Sequence, residues 1–264
     1  MTSATKTPPA SATASPSRAV AAPALEARGL CKSFRRKRGA PEVDVLRDVS
    51  LSVGDGEFVA VVGPSGSGKS TLLYCLSSLE QPSSGSVRIA GEEVSGMSNA
   101  QRARLRAERI GFVFQQFNLI PSLDARENVA LPARLRGTRD ANERADAALE
   151  AVGMTTRARH RPGTLSGGEQ QRVAIARVLA AEPGIVFADE PTGALDEASG
   201  AAVLDLLGGL ATGGRSVVMV THDLEAASRA DRVLVIRDGR LHADLVSPTS
   251  EQIWSAMTTK GEGR

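Results

Sequence analysis

The sequence predicts an α/β protein with a mainly parallel, doubly wound sheet and a helical block inserted into it. Three observations carry that expectation. Short apolar runs alternate with stretches of helical spacing along the 264 residues, the pattern of strand–helix–strand crossovers. The run Glu57–Val62 ends directly in Gly63-Pro64-Ser65-Gly66-Ser67-Gly68-Lys69-Ser70, a G-x-x-x-x-G-K-S loop that belongs between a strand and a helix. The apolar run Ile185–Ala188 closes on two adjacent acids, Asp189 and Glu190, at the end of a strand where open α/β sheets bind ligands.

Taken in order, Leu25–Phe34 and Val45–Val53 read as strands, separated by the basic, Gly- and Pro-containing stretch Arg35–Pro41. Glu57–Val62 is a strand and Lys69–Leu79 the helix after the glycine loop. Ser86–Ala90 and Ile110–Phe114 are further strands. From about Gln115 to Ala181 the signals turn helical. Arg139–Val152 places Ala, Leu and Val at helical spacing with Gly153 as a stop, and Ser166–Ala181 ends at Glu182-Pro183. Ile185–Ala188, Ser216–Thr221 and Arg232–Arg237 are strands; Ser199–Leu210 and Leu224–Ala230 are the helices between them. The expected division is a disordered tail over 1–24, a globular domain over 25–246 with its helical insertion at about 115–182, and a C-terminal tail over 247–264.

Composition narrows the class. Hydrophobic residues at 41% and charged residues at 23% are ordinary for a globular protein. No run reaches the roughly 18–20 apolar residues that span a bilayer, so a membrane role would come through a partner. A net charge of +2 gives no global reason to expect nucleic acid as a partner. The five bases between Lys32 and Arg38 lack interleaved aromatics beyond Phe34 and read as a solvated loop. Cys31 and Cys75 have no C-x-x-C spacing and are expected to be reduced and structural. Residues 1–24 hold little but Ala, Ser, Thr and Pro; the apolar stretch after Arg18 is broken by Pro23 and followed by Glu26, against a signal peptide.

The chemistry lies in a few loops. Glycines in 63–68 let backbone N–H groups converge on phosphate oxygens, Lys69 supplies a cation for the outer phosphates, and the Ser70 hydroxyl suits Mg²⁺. The helix beginning near Lys69 adds the positive end of its dipole. Alone, this loop leaves kinases, GTPases and motor ATPases open. Asp189 suits a carboxylate that holds Mg²⁺ near Ser70, and Glu190, pointing differently, suits a general base for water. Leu165-Ser166-Gly167-Gly168-Glu169-Gln170 is a second anion-binding helix start, with Ser166 at the cap.

With both loops in one chain, the sequence resembles the ATP-binding subunit of ABC transporters over roughly Leu25–Ala243. The resemblance implies a P-loop NTPase (RecA-like) core with an antiparallel β subdomain and the inserted helical subdomain. It implies ATP contacts from Gly63, Pro64, Ser65, Gly66, Ser67, Gly68, Lys69, Ser70 and Thr71, with Phe34 stacking on adenine where the family usually has Tyr. Packing in the core is the plainer reading of Phe34. Gln115 matches the glutamine that links Mg²⁺ and water to the helical block, so the implied metal set is Ser70, Gln115 and Asp189. Glu190, His222 and Gln115 are the implied catalytic residues, His222 toward the γ-phosphate. Ser166, Gly167, Gly168 and Glu169 would complete the site of a second subunit, and Asp196 would face that subunit. Gly193 stands where a Ser is more common, which removes that hydroxyl's contacts.

Glu127-Asn128-Val129, Leu131-Pro132, the LSGGEQQRVAIAR stretch and EPTGALD look most like the lipoprotein-release and macrolide-export branch. The resemblance implies a head-to-tail homodimer with two ATP molecules. Its closing and opening would drive an integral membrane permease, of a kind with a large extracytoplasmic domain, docked near Phe117–Ser122. The chain would then be cytoplasmic and peripheral on the membrane's inner face. Alternatives are a mechanical regulator of a membrane partner that transports nothing, and a soluble ABC ATPase. A phosphate-loop kinase is disfavoured by LSGGEQ.

Overall fold

A computed structural model describes residues 23–35 and 42–259. The expectations for residues 1–22, for the basic stretch 36–41 and for 260–264 lie outside the described residues. In chain order the strands are β1 (Leu25–Arg35), β2 (Glu42–Val53), β3 (Phe58–Val62), β4 (Ser84–Ile89), β5 (Glu92–Glu93), β6 (Ile110–Phe114), β7 (Ile185–Asp189), β8 (Ser216–Val220), β9 (Arg232–Arg237) and β10 (Arg240–Val246). The α-helices are α1 (Lys69–Leu76), α2 (Asn99–Arg109), α3 (Ala125–Leu135), α4 (Ala141–Ala151), α5 (Gly167–Ala181), α6 (Glu197–Thr212), α7 (Leu224–Ser228) and α8 (Ser250–Thr258).

The strands form two sheets. One is antiparallel in the order β2-β1-β4-β5; the other runs β10-β9-β3-β8-β7-β6, with β9, β3, β8, β7 and β6 parallel and β10 antiparallel at the edge. Every residue of β3 and β8 is buried, the continuous apolar run expected of a parallel strand covered on both faces. Edge strand β10 instead alternates exposed and half-buried residues, with Arg232 of β9 gripping Asp244 through both carboxylate oxygens at 2.6 Å. That charged edge blunts further strand addition.

The sheets enclose two apolar cores. One lies between the antiparallel sheet, α1 and one face of the parallel sheet, and includes Leu25, Leu46, Leu72, Ile89 and Phe187. The other lies on the opposite face and joins α3, α4 and α5 to α6 and α7 through Val129, Leu149, Ile175, Leu207 and Ala226. Each fully buried Leu, Ile or Phe contributes about 1.5–3 kcal/mol relative to exposure. Helix α5 is therefore packed into the same core as β7 and carries the second anion-binding helix start, the signature segment 166–169, on a rigid rod.

Some boundaries differ from the sequence reading. Helix α1 stops at Leu76 rather than Leu79, because Ser78 takes a left-handed conformation (φ 60°) and its N–H turns to Cys75 O at 3.2 Å. Helix α2 precedes the block expected to be helical and is held by a capping box between Ser98 and Gln101. Within the expected C-terminal tail, Ser250–Thr258 forms α8, with Ile253 fully buried.

Candidate functional site

The site is built where β3, β7 and β8 end side by side. Gly63 leaves β3 under the carbonyl of Ile236 in β9: a Cβ there would lie 2.0 Å from that oxygen, so only glycine fits. Gly68 caps α1 in a left-handed conformation (φ 100°), and a Cβ on it would sit 2.8 Å from Val45 O. Between them the loop folds on itself through Ser67 N–H to Pro64 O at 3.2 Å and Gly239 N–H to Ser67 O at 3.2 Å. Lys69 arches back over this cradle, its Nζ donating to Gly63 O at 2.9 Å and Pro64 O at 3.0 Å. Burial holds its ammonium below the usual lysine value, while the Glu190 and Asp189 carboxylates pull the other way. Ser65, Gly66 and Ser70 are exposed along the rim, with Thr71 half-buried behind them.

Parallel register brings the acids to this cradle. Asp189 pairs with Phe114 on one side and Val220 on the other, so Gln115, Glu190 and Thr221 follow at one level. The two acids do point differently. Asp189 faces α1, its Oδ1 3.4 Å from the Ser70 hydroxyl and its Oδ2 accepting from the Tyr74 hydroxyl at 2.8 Å. Glu190 adopts φ 47°, donates its N–H to Val220 O at 2.9 Å, and turns its Oε2 to Nδ1 of His222 at 2.9 Å. Gln115 sits in the turn after β6 against Gly193: a Cβ there would lie 2.9 Å from Gln115 Nε2. The missing hydroxyl at Gly193 thus coincides with room for this glutamine.

The signature segment lies apart from the cradle. Ser166 caps α5, accepting from Glu169 N–H at 3.2 Å, while Glu169 reaches back to Ser166 N–H at 2.8 Å and takes Arg157 at 3.0 Å. The hydrogen bond from Ser166 and the pairing with Arg157 hold the Glu169 carboxyl below its ordinary range. Among the described residues, no hydrogen bond joins 166–169 to 63–71. Gly167 lies beside Phe117 and Leu195 instead. The space above Gly168 is filled by its own chain: a Cβ there would meet Ser199 Oγ at 2.6 Å. Asp196, expected to face a second subunit, caps α6 through Ser199 N–H at 2.9 Å and Ser199 Oγ at 2.8 Å. Phe34, at the end of β1, is 39% exposed, with the Lys32 ammonium 4.7 Å from its ring centre. An aromatic face at the surface is not the core packing of the plainer reading.

Two residues escaped the sequence reading. Tyr74 lies one turn after Ser70 on α1, so both reach Asp189; the i, i+4 spacing was the available signal. Arg177 of α5 donates to Asn118 O at 2.6 Å and Phe117 O at 3.0 Å, fastening two residues that both hold positive φ. Nothing in the sequence announces that contact, which spans sixty residues.

The donor set suits a Mg–nucleotide. Ser67 Oγ is buried without a partner in the loop, a hydroxyl free for a ligand oxygen. One carboxylate and one hydroxyl are the hard oxygen donors that Mg²⁺ takes alongside substrate phosphates.

Residues 46–193 match the family model described as ABC transporter. The chain belongs to the ABC transporter family. It is an ATP-binding cassette with the fold of the family's ATPases. The chain is 50% identical over 224 residues to a pyoverdine export ATP-binding/permease protein of Pseudomonas aeruginosa, covering 84% of this chain and 34% of that one. It is 49% identical over 218 residues to the macrolide export ATP-binding/permease protein MacB of Neisseria meningitidis serogroup B, covering 81% and 34%. The chain thus spans about a third of the length of the curated relatives it matches. Among solved structures it resembles a dimeric ATP-binding cassette in a post-hydrolysis state bound to ADP and Pi, at a TM-score of 0.78 and 38% identity over 85% of this chain and 99% of that one. These relatives support the branch reading drawn from the sequence. Among the described residues, no helix of this ABC cassette is long and apolar enough to cross a membrane.

Proposed function

We propose that this cassette binds and hydrolyses ATP with Mg²⁺ and so powers an integral membrane permease through a dimer that closes and opens. The observation that carries the reading is the meeting of Lys69, Ser70, Asp189, Glu190 and His222 at the ends of adjacent strands. In this reading Lys69 leaves the loop carbonyls for the outer phosphates, and backbone N–H groups of 63–71 hold the rest. Mg²⁺, held by Ser70, Asp189 and Gln115, would neutralise charge on the phosphates. Glu190 accepts the proton of the attacking water, His222 donates toward the γ-phosphate, and Phe34 stacks on adenine.

The signature segment 166–169 and Asp196 act on a second copy's nucleotide. What supports this is that the segment sits on the helical lobe, away from its own chain's loop, with Ser166 exposed at a helix N-terminus. Arg177 and Asn128 brace the loop that would meet the permease. The Asn128 side chain, itself buried, accepts from Ile120 N–H at 2.7 Å and donates to Ile120 O, Leu123 O and Asp124 O at 3.0–3.1 Å. Ile120 remains 39% exposed for docking. The permease carries a large extracytoplasmic domain, and the cassette is cytoplasmic, peripheral on the membrane's inner face through it. A globular domain over 25–246 carrying the insertion at 115–182 serves this role.

The test is Mg-ATP hydrolysis by the purified chain, with its association state in ATP followed by light scattering. Hydrolysis that depends on Mg²⁺, with an ATP-dependent dimer, is expected; a nucleotide-insensitive monomer without activity would refute the reading. Capture of an integral membrane permease on the tagged chain from solubilised membranes tests the partner.

A further inference from the structure

We propose that Tyr74 is a positioning residue for the metal: its hydroxyl ties down one oxygen of Asp189 so that the other alone is presented beside Ser70. The inference rests on the reading of Asp189 and Ser70 as Mg²⁺ ligands and adds to it a residue which that reading does not use.

The two carboxylate oxygens of Asp189 are not equivalent. Oδ2 accepts a full-strength hydrogen bond from the Tyr74 hydroxyl at 2.8 Å, the commonest O–H···O distance. Among the described residues, Oδ1 has only the Ser70 hydroxyl at 3.4 Å, too long to hold it firmly. The loosely held oxygen is thus the one that faces the other ligand. A carboxylate with one oxygen occupied offers a single donor, the mode suited to a small octahedral cation that keeps several waters, whereas a larger cation readily takes both oxygens.

The platform is stiff. Ser70 and Tyr74 are four residues apart on α1 and lie on one side of it. The neighbours Leu72, Leu73, Cys75 and Leu76 are buried, and the Tyr74 ring packs on the same core. The Asp189 backbone is fixed from both flanks by Phe114 and Val220. The helix that carries the phenol and the strand that carries the carboxylate are both core elements, which leaves the Tyr74 hydrogen bond to set the carboxylate's rotation. Partners of this kind, one step behind a metal ligand, cost about 10–100-fold in metal affinity when removed.

The experiment is calorimetric titration of ATP into wild type and Tyr74→Phe, in EDTA and at a series of Mg²⁺ concentrations. The expected result is an ATP affinity in EDTA within about twofold of wild type, with the Mg²⁺ needed for half of the affinity gain raised by about tenfold or more. An unchanged Mg²⁺ requirement overturns the proposal, as does an equal loss in EDTA and in Mg²⁺. If wild type itself gains nothing from Mg²⁺, the functional reading fails first, and the two failures are distinct. A second measurement avoids substitution. The chain has one tyrosine, so 3-fluorotyrosine gives one fluorine resonance. It is expected to shift further with Mg-ADP than with ADP in EDTA; equal shifts overturn the proposal.

Discussion

The Oε2 of Glu190 lies 2.9 Å from Nδ1 of His222 and 3.4 Å from the same residue's backbone N. The glutamate backbone is pinned in a left-handed conformation, φ 47°, by its N–H on Val220 O and by Gly193 N–H on its own carbonyl at 3.1 Å. Such a conformation costs about 1–3 kcal/mol in a non-glycine residue and persists where the surroundings impose it. The glutamate side chain is 20% exposed and the histidine 73%, so the histidine is the partner free to swing. If Glu190 is the base of the proposed function, a movable partner lets it be released toward water once nucleotide draws the histidine away.

Glu190→Gln is therefore expected to keep ATP binding and slow hydrolysis by about 10²–10⁴-fold, the worth of a positioned general base. Glutamine retains the contact to His222 but cannot accept a proton. With Mg-ATP the variant should elute as a dimer in size-exclusion chromatography. Turnover at the wild-type rate would remove Glu190 from the role.

Lys69→Ala is expected to abolish tight nucleotide binding. Its ammonium is the cradle's one lysine, and the preceding lysine in the described chain, Lys32, is committed to Glu80 at 2.6 Å. Losing the charge-assisted hydrogen bonding of this ammonium to the outer phosphates is expected to weaken ATP by about 10²-fold or more, which calorimetry reads directly. Undiminished affinity would mean that the loop is not the site.

The thiols offer a test of the core. Burial pushes the Cys75 thiol up to about 12, far above the pH at which it would ionise in solution. Cys31 is only half-buried. At pH 8 the native chain should release one equivalent with Ellman's reagent, from Cys31, and the second only on unfolding. Two fast equivalents from folded protein would contradict the packing around α1.

These residues also mark how much was legible in advance. The parallel strands and the glycine loop were readable because burial on both faces leaves unbroken apolar runs, as in Phe58–Val62, and because Gly63 and Gly68 answer steric demands that no other residue meets. Asp189 and Glu190 followed from their place at a strand end and Lys69 and Ser70 from the glycine loop, whereas Gln115 and His222 stood out only through the family resemblance. Tyr74 and Arg177 did not, since a phenol or guanidinium acquires its partner only when distant elements pack. Helix α2 was missed because its apolar contribution is slight, with Leu105 its one buried residue. Strand β10 is an edge whose stability comes from pairing with β9 rather than from its own pattern.

The shared-site architecture needs a signature variant that leaves the fold alone, and Gly168 is unsuitable because a side chain there collides with Ser199. Ser166 is exposed and needs only an oxygen to cap α5, which aspartate also supplies. Ser166→Asp should therefore melt near wild type and bind ATP as a monomer with unchanged affinity, since the loop 63–71 makes those contacts. Hydrolysis should fall by about 10²-fold or more, because the new carboxylate faces the γ-phosphate held by the second copy. Mixing with Lys69→Ala then separates the alternatives. In each mixed dimer one shared site carries both defects and the other carries neither, so ATPase activity should reappear although neither variant has it alone. Mixed dimers that form yet stay inactive would mean that both sites must fire together or that the signature serves its own chain. Wild-type hydrolysis by Ser166→Asp alone would sink the shared site outright.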